Sequence, residues 1–384
     1  MSKQASVNEN IASSSEKCNV LFNTDWDFPS SVPTALDGIH PYPAKFIREI
    51  PQKLLTELTP DKNLWIYDPF CGSGTTLAAA QEMGYKVLGV DLNPIACLIS
   101  KVKTYQVELE NFTIKSVLDV AQSHLDYNEQ VDIKNIKHWF MPHIISEIAC
   151  LRRAIAEVQE DSIRDMLNLA LSSIIVRVSN QESDTRYAAI NKYIPKGTTF
   201  SLFHNAYEKV LNALASRVYK LTPSCIVSHN SLNFEKEDFY GKVGMVITSP
   251  PYPNAYEYWL YHKYRMYWLG YDPEEVKKQE IGARAHFFKK NHHDEHSFYE
   301  QMKTLIQNLK NYLANGSLAC FVVGRSKIHG KLIDNADIIA RAGEVNKLKV
   351  VTQIDRNMQS TRKSFNLSHA NIKKETIIIL KYEY

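Results

Sequence analysis

The sequence predicts an α/β protein: a mostly parallel sheet with an antiparallel C-terminal strand pair, plus a largely helical insert. Three observations lead there. Short apolar runs that end in turn residues alternate with segments of helical spacing at both ends of the chain. Two β-rich runs, Leu348 to Ile354 and Thr376 to Tyr382, are joined by a polar loop, as in an antiparallel pair. Between the two α/β stretches, Leu109 to Thr222 carries apolar residues at helical spacing.

The elements follow in order. Met1 to Lys17 is polar and serine-rich with no apolar core, so residues 1–30 read as a flexible arm and not a secretory signal. His40-Pro41-Tyr42-Pro43-Ala44-Lys45-Phe46 precedes a helix with Pro51 in its first turn and Leu54, Leu55 and Leu58 on its apolar face. Leu64 to Tyr67 is a short apolar strand, Asp68-Pro69-Phe70-Cys71-Gly72-Ser73-Gly74-Thr75-Thr76 a glycine turn, and Leu77 to Ala80 the opening of a helix. Gly72 and Gly74 let the backbone approach a ligand closely. Lys86 to Val90 is a second buried strand ending in Asp91, where a carboxylate can accept from ribose hydroxyls. The dinucleotide fingerprint Gly-x-Gly-x-x-Gly fails, because Leu77 holds its third glycine position.

In the insert, Ile144, Ile148, Leu151 and Ile155 recur at helical spacing, as do Met166, Leu167, Ala170, Leu171 and Ile174. Ser179 to Tyr187 reads as a polar loop between helices. Its Asn, Gln and Arg side chains suit base edges, and equally a cap on a packing subdomain. Cys225 to Ser228 is a third strand that runs into His229-Asn230-Ser231; Asn230 could stand where an acidic residue would touch an adenine edge. Gly244 to Thr248 is the fourth strand and Leu318 to Val323 the fifth, ending at Gly324. Tyr256, Leu260, Tyr264, Tyr267 and Tyr271 form a helical stripe that reads as core or as a nucleic-acid surface. Lys277, Lys278, Arg284, Lys289 and Lys290, and Arg356, Arg362, Lys363, Lys373 and Lys374, read as solvated faces or phosphate contacts.

Composition narrows the function classes. Hydrophobic content of 44% and charged content of 23% are those of a globular protein. The net charge of +3 confines any polyanion-binding surface to a local patch. Six cysteines lie scattered with no Cys-x-x-Cys pair, which argues against a zinc site and a disulfide framework and fits a reducing cytoplasm. His292-His293-x-x-His296 lacks the His-Glu-x-x-His order, so it reads as an exposed loop and no metal is expected. No apolar run approaches the roughly 18–20 residues of a membrane span.

The most specific chemistry lies after the fourth strand, at Ser249-Pro250-Pro251-Tyr252. Two consecutive prolines stop the strand and remove two donors. A stiff edge of acceptors remains: the Ser249 hydroxyl, the Pro250 carbonyl and the face of Tyr252. Such an edge suits an amino group on a flat ring, and an exocyclic nucleobase amine fits that description.

Asp68 to Thr76 together with Ser249 to Tyr252 resembles the amino-group DNA methyltransferases, whose catalytic motif is [Asn/Asp/Ser]-Pro-Pro-[Tyr/Phe]. The serine resembles the N4-methylcytosine branch, and the motif order, cofactor before catalytic, is one of the family's permuted orders. His40 to Phe46 resembles the family segment beside the methionine end of the cofactor, with Lys45-Phe46 replacing Lys-Pro. The resemblance implies a Rossmann-like methyltransferase sheet and S-adenosylmethionine as cofactor. It implies that Asp68, Pro69, Phe70, Gly72, Gly74, Thr75, Asp91 and Asn93, with Lys45 and Phe46, surround that cofactor, and that Ser249, Pro250, Pro251 and Tyr252 are catalytic. It divides the chain into a cofactor-binding half over residues 31–108, an insert with a target-recognition role over 109–222, and a catalytic half over 223–384. Double-stranded DNA is the implied partner, with a cognate restriction endonuclease acting on the same site. N6 methylation of adenine is the alternative chemistry. A non-catalytic DNA-binding module on the same scaffold is the alternative of another class.

Overall fold

The computed structural model describes residues 20–44, 46–108, 112–124, 133–184, 186–253, 256–288, 293–357 and 374–383. In chain order its strands are β1 (Trp65–Asp68), β2 (Lys86–Asp91), β3 (Gln181–Ser183), β4 (Arg186–Ala189) and β5 (Ser224–Ser228), then β6 (Val243–Thr248), β7 (Leu313–Ile328), β8 (Lys331–Asp334), β9 (Leu348–Asn357) and β10 (Lys374–Tyr382). The main sheet runs β5-β2-β1-β6-β7-β10-β9, with β8 paired to β7. The first five in that order are parallel; β10 is antiparallel to both β7 and β9.

The last strand of the chain therefore lies inside the sheet and β9 forms its edge. Sequence pattern explains the choice. Ile377, Ile378, Ile379 and Leu380 are each 0% exposed, an unbroken apolar run that needs cover on both faces. β9 instead alternates buried and open positions, as a strand with one solvated face does.

Alternation along the inner strands splits the core into two layers. Ile66, Val87, Met245, Ile247 and Val322 face the helices Glu49–Leu58 and Thr75–Glu82. Leu88, Val90, Val246 and Phe321 face the helices Glu295–Leu309 and Asn335–Val345. A third cluster joins Ile95, Leu98 and Val102 of the helix Pro94–Thr104 to Met166, Leu167 and Leu171 of the insert helix Asp161–Ile174, which packs in turn on Thr198–Ala215. Tyr264 of the aromatic stripe belongs to that cluster with Trp259 and Trp268, and Leu260 and Tyr267 pack against it, whereas Tyr271 is exposed.

Several expectations need correcting. The arm expected over residues 1–30 does not reach residue 30: Leu21 and Trp26 are 1% and 3% exposed, and pack beside Ile50 and Ile354. The short run Val20-Leu21-Phe22 and the single Trp26 are too brief to carry a periodic signal, yet Leu21 and Trp26 bury almost fully. The fifth strand does not end at Gly324 but continues to Ile328. His329 and Gly330, at φ of +45° and +84°, then form the tight turn into β8. The polar loop expected at Ser179 to Tyr187 is a β-hairpin, β3–β4, with Thr185 outside the described residues. Arg356, grouped with exposed cations by its sequence neighbours, is 7% exposed and ion-paired with Glu375, so it is not a phosphate contact. Lys277 and Lys278 are neutralised by Glu274 and Glu275 one turn earlier. Lys289, Lys290, His292, Arg362, Lys363 and Lys373 lie outside the described residues. Among the described residues no helix is long and apolar enough to cross a membrane, and no group of three His, Cys, Asp or Glu could hold a metal ion.

Candidate active site

Parallel strands β1, β2 and β6 bring their C-terminal ends to one rim of the sheet, where open α/β folds bind ligands. Asp68 closes β1 and Thr248 closes β6. The Thr248 hydroxyl donates to Asp68 Oδ1 at 2.6 Å, and the same oxygen accepts from Phe70 N at 3.1 Å. This bond ties the start of the glycine turn to the residue before Ser249. Burial pushes the Asp68 carboxyl up to about 6, against these two hydrogen bonds, which act to lower it.

The turn itself needs its glycines. Gly72 and Gly74 sit at φ of +49° and +73°, the left-handed region. A Cβ on Gly74 would lie 2.8 Å from Ser100 Oγ and 3.1 Å from the Ser100 Cα. A Cβ on Gly72 would lie 3.1 Å from Tyr42 Oη. Ser100 Oγ also donates to the Gly72 carbonyl at 3.1 Å, and Pro69 accepts from the Ser231 hydroxyl. Thr75 is buried, with Ser73 Oγ 3.4 Å from its hydroxyl.

Asp91, at the end of β2, accepts from Gly72 N at 2.9 Å and from Asn93 N at 2.8 Å. Each oxygen keeps a lone pair for a further donor, so the residue fits a vicinal diol such as ribose. Burial raises its carboxyl to about 6, while the two backbone N–H groups act to lower it. Asn93 caps the helix Pro94–Thr104, accepting from Ile95 N at 3.0 Å.

On the catalytic side, Ser249 Oγ lies 3.4 Å from Tyr252 Oη. The tyrosine hydroxyl lies 3.1 Å from Glu375 Oε1 and 3.4 Å from the Val322 carbonyl. Its ring is half-buried; burial and the Glu375 charge hold its hydroxyl well above the ordinary tyrosine range. Pro250 is buried and Pro251 half-buried.

Of the expected site residues, Asp68, Phe70, Gly72, Asp91 and Asn93 share the hydrogen bonds described, as do Ser249 and Tyr252. Phe46 is half-buried in the core layer of Ile50 and Leu54. Lys45 lies outside the described residues. Asn230, considered for an adenine edge, donates to Gln279 Oε1 at 3.2 Å.

Three further residues stand at the rim, of which only Tyr42 lies in a segment the sequence singled out. Tyr42 reaches Gly72 and lies 5.9 Å from the Tyr258 ring and 5.3 Å from that of His262. Glu280 is 6% exposed and accepts from Tyr258 N at 2.9 Å and Trp259 N at 2.7 Å. Burial pushes its carboxyl up to about 8. Two residues on, Gly282 is so close to the motif that a Cβ there would lie 2.6 Å from the Tyr252 carbonyl oxygen. Glu375 is the third. Glu280 and Glu375 have no local signature, because each reaches the rim from a distant element; Tyr42 belongs to the His40 to Phe46 segment whose resemblance placed it beside the cofactor.

A parallel sheet with a glycine turn after β1 and an acidic residue after β2 defines a nucleotide-type ligand site. Part of the chain is similar to known DNA methyltransferases. Residues 2–102 match the family model of the N6/N4 enzymes described as DNA methylase. The chain is similar to the type II methyltransferase M.MvaI of Kocuria varians, at 26% identity over 56% of this chain and 53% of the relative. It is also similar to the type II methyltransferase M.MjaII of Methanocaldococcus jannaschii, at 32% over 29% of this chain and 22% of that one. M.BsoBI of Geobacillus stearothermophilus is 22% identical over 62% of this chain and 53% of its own length. The chain thus spans about half the length, or less, of these relatives. The DNA methylase match ends at residue 102, so it contains the glycine turn and Asp91 but not Ser249 to Tyr252.

The residues present fit S-adenosylmethionine, the cofactor that the motif resemblance implies. Asp91 retains acceptor capacity for a ribose, and the neighbouring Tyr42 and Tyr258 rings are of the type that suits a sulfonium cation.

Proposed function

We propose that this chain is a site-specific DNA methyltransferase that methylates the exocyclic N4 amine of cytosine in duplex DNA, as the modification enzyme of a restriction–modification system. The observation that carries the reading is the Thr248–Asp68 bond, which joins the methyl-donor turn to Ser249-Pro250-Pro251-Tyr252 at one rim. When bound, S-adenosylmethionine supplies a methyl group already activated on a sulfonium. Asp68, Phe70, Gly72, Gly74, Asp91 and Asn93 hold the cofactor; Pro69 and Thr75 shape the turn.

The chain must supply position and an available lone pair. A paired base is out of reach inside the duplex, so it flips out, at a cost of about a few kcal/mol. Tyr252 stacks on the flipped ring. Ser249 Oγ and the Pro250 carbonyl accept from the amino group. An aromatic amine is a poor nucleophile because its lone pair is delocalised into the ring; acceptors that hold its hydrogens favour a tetrahedral nitrogen with that pair free. Holding it in line with the methyl group contributes the entropic part of the rate. No covalent bond from Cys71 to the base is needed. The hairpin β3–β4 is the base-reading candidate, since Arg186 and Ala188 are exposed on it, although Arg186 is paired with Glu182 and the Tyr187 hydroxyl is bonded to that of Tyr264.

The test is incubation with duplex DNA and labelled cofactor, then digestion to nucleosides. Label in N4-methylcytosine is expected. Label in N6-methyladenine would reassign the base, a reading the combined N6/N4 family model also supports. Tyr252→Ala should lose most activity and keep cofactor binding; a fully active variant would remove the stacking role.

A further inference from the structure

The mechanism above needs Ser249 to accept, yet a serine hydroxyl can as readily donate. Something must turn its proton away from the amine. The surroundings of Tyr252 do this. Its hydroxyl has one proton and three oxygen neighbours: Glu375 Oε1 at 3.1 Å, Ser249 Oγ at 3.4 Å and the Val322 carbonyl at 3.4 Å. Glu375 is ion-paired through its other oxygen with Arg356 at 2.5 Å, and an ion-paired carboxylate only accepts. The tyrosine proton is therefore drawn to Glu375. Its lone pairs are left facing Ser249, whose O–H donates into them. The Ser249 lone pairs then face outward, where an amine would donate.

We propose that Glu375 is a positioning residue for methyl transfer: through the Tyr252 hydroxyl it orients Ser249 as a hydrogen-bond acceptor. This rests on the methyltransferase reading of the site. Glu375 lies at the start of β10, far in sequence from the motif it serves. It is itself held. Arg356 Nε donates to the Trp26 carbonyl at 2.9 Å, and the neighbouring Asn357 N donates to Asp27 Oδ1 at 2.6 Å. The Glu375 and Arg356 side chains are 14% and 7% exposed, so the pair is shielded from competing water. The segment around Trp26 thus packs behind the chain Arg356–Glu375–Tyr252–Ser249 and gives its buried aromatic anchor a purpose beyond cohesion.

Glu375→Gln inverts the chain with little change of shape. Arg356 claims the amide oxygen, the amide N–H turns to Tyr252, the tyrosine O–H swings to Ser249 or to the Val322 carbonyl, and the serine O–H, which then competes with the amide N–H for the tyrosine lone pairs, is no longer held away from the amine. The turnover rate kcat should fall by about tenfold or more, the scale of one hydrogen bond to a charged group. KM and the calorimetric Kd for S-adenosylmethionine should stay within about twofold of the wild type. In a Tyr252→Phe background the relay is gone, so Glu375→Gln should then change kcat by less than about twofold. An equal loss in both backgrounds would show that Glu375 merely supports the fold and would overturn the proposal.

A second readout needs no activity. With 3-fluorotyrosine at position 252, the fluorine NMR titration should move to lower pH in Glu375→Gln, because the neighbouring negative charge is gone. An unmoved midpoint overturns the contact. If the wild type makes no methylated base while the midpoint still moves, the methylation reading fails, and the positioning role with it, while the hydrogen-bond chain stands.

Discussion

Thr248→Val tests the bond that joins the two halves of the site. Valine matches threonine in shape, so the substitution removes one donor and leaves no cavity. The lost bond is buried, 2.6 Å long and made to a carboxylate. Such a bond contributes about 1.5–3 kcal/mol when the carboxylate is ionised and about 1 kcal/mol when it is neutral. Asp68 already titrates at about 6, and removing a donor to its charged form raises it further, by roughly one unit per 1.4 kcal/mol. A carboxyl raised in the folded state favours folding below its unfolded value near 3.9, and that contribution is lost as pH rises through the folded value. The variant loses it to a greater extent, so its deficit is largest on the alkaline side. Urea unfolding at pH 5 and pH 8.5 reads this directly. The expected deficit is about 1 kcal/mol at pH 5 and about 1.5–3 kcal/mol at pH 8.5. Equal deficits at the two values would refute the assignment of the Thr248 proton to an ionised Asp68. The pH–rate profile should also move upward in the variant if ionised Asp68 shapes the donor turn.

Two other predictions follow from the same rim. Asp91 titrates at about 6 and accepts best when ionised, so the affinity for S-adenosylmethionine should fall as pH drops below about 6; a Kd that is flat in calorimetry between pH 5 and 7.5 would remove Asp91 from the ribose role. Gly74→Ala places a Cβ 2.8 Å from Ser100 Oγ at a φ of +73°. Left-handed strain of about 1–2 kcal/mol and overpacking of about 1–3 kcal/mol should lower the melting temperature by several degrees, and an unchanged melt would show that the turn relaxes.

Local pattern carried much of this architecture. The strand, glycine turn, helix order at Tyr67 to Ala80 is legible because each part is coded by adjacent residues: an apolar run, two glycines at φ that other residues avoid, then helix formers. Ser249 to Tyr252 is legible for the same reason, since two prolines stop a strand wherever they occur. Trp26 and Arg356 carry no core signal in the sequence because their neighbours along the chain are polar or charged, and only their neighbours in space make them core.

By itself, then, the sequence determined most element types of the main sheet, its parallel character and the identity of the motifs at its rim, because periodicity, proline and glycine act over a few residues; the hairpin β3–β4 and strand β8 were not among them. Tertiary structure alone decided what stands behind those motifs. Asp68 meets Thr248 across 180 positions of chain, and Tyr252 meets Glu375 across 123. Hydrogen bonds depend on separation in space, and separation along the chain carries no record of them. For that reason the acceptor edge at Ser249 could be read from one dimension, while the group that sets the direction of its proton appears only in three.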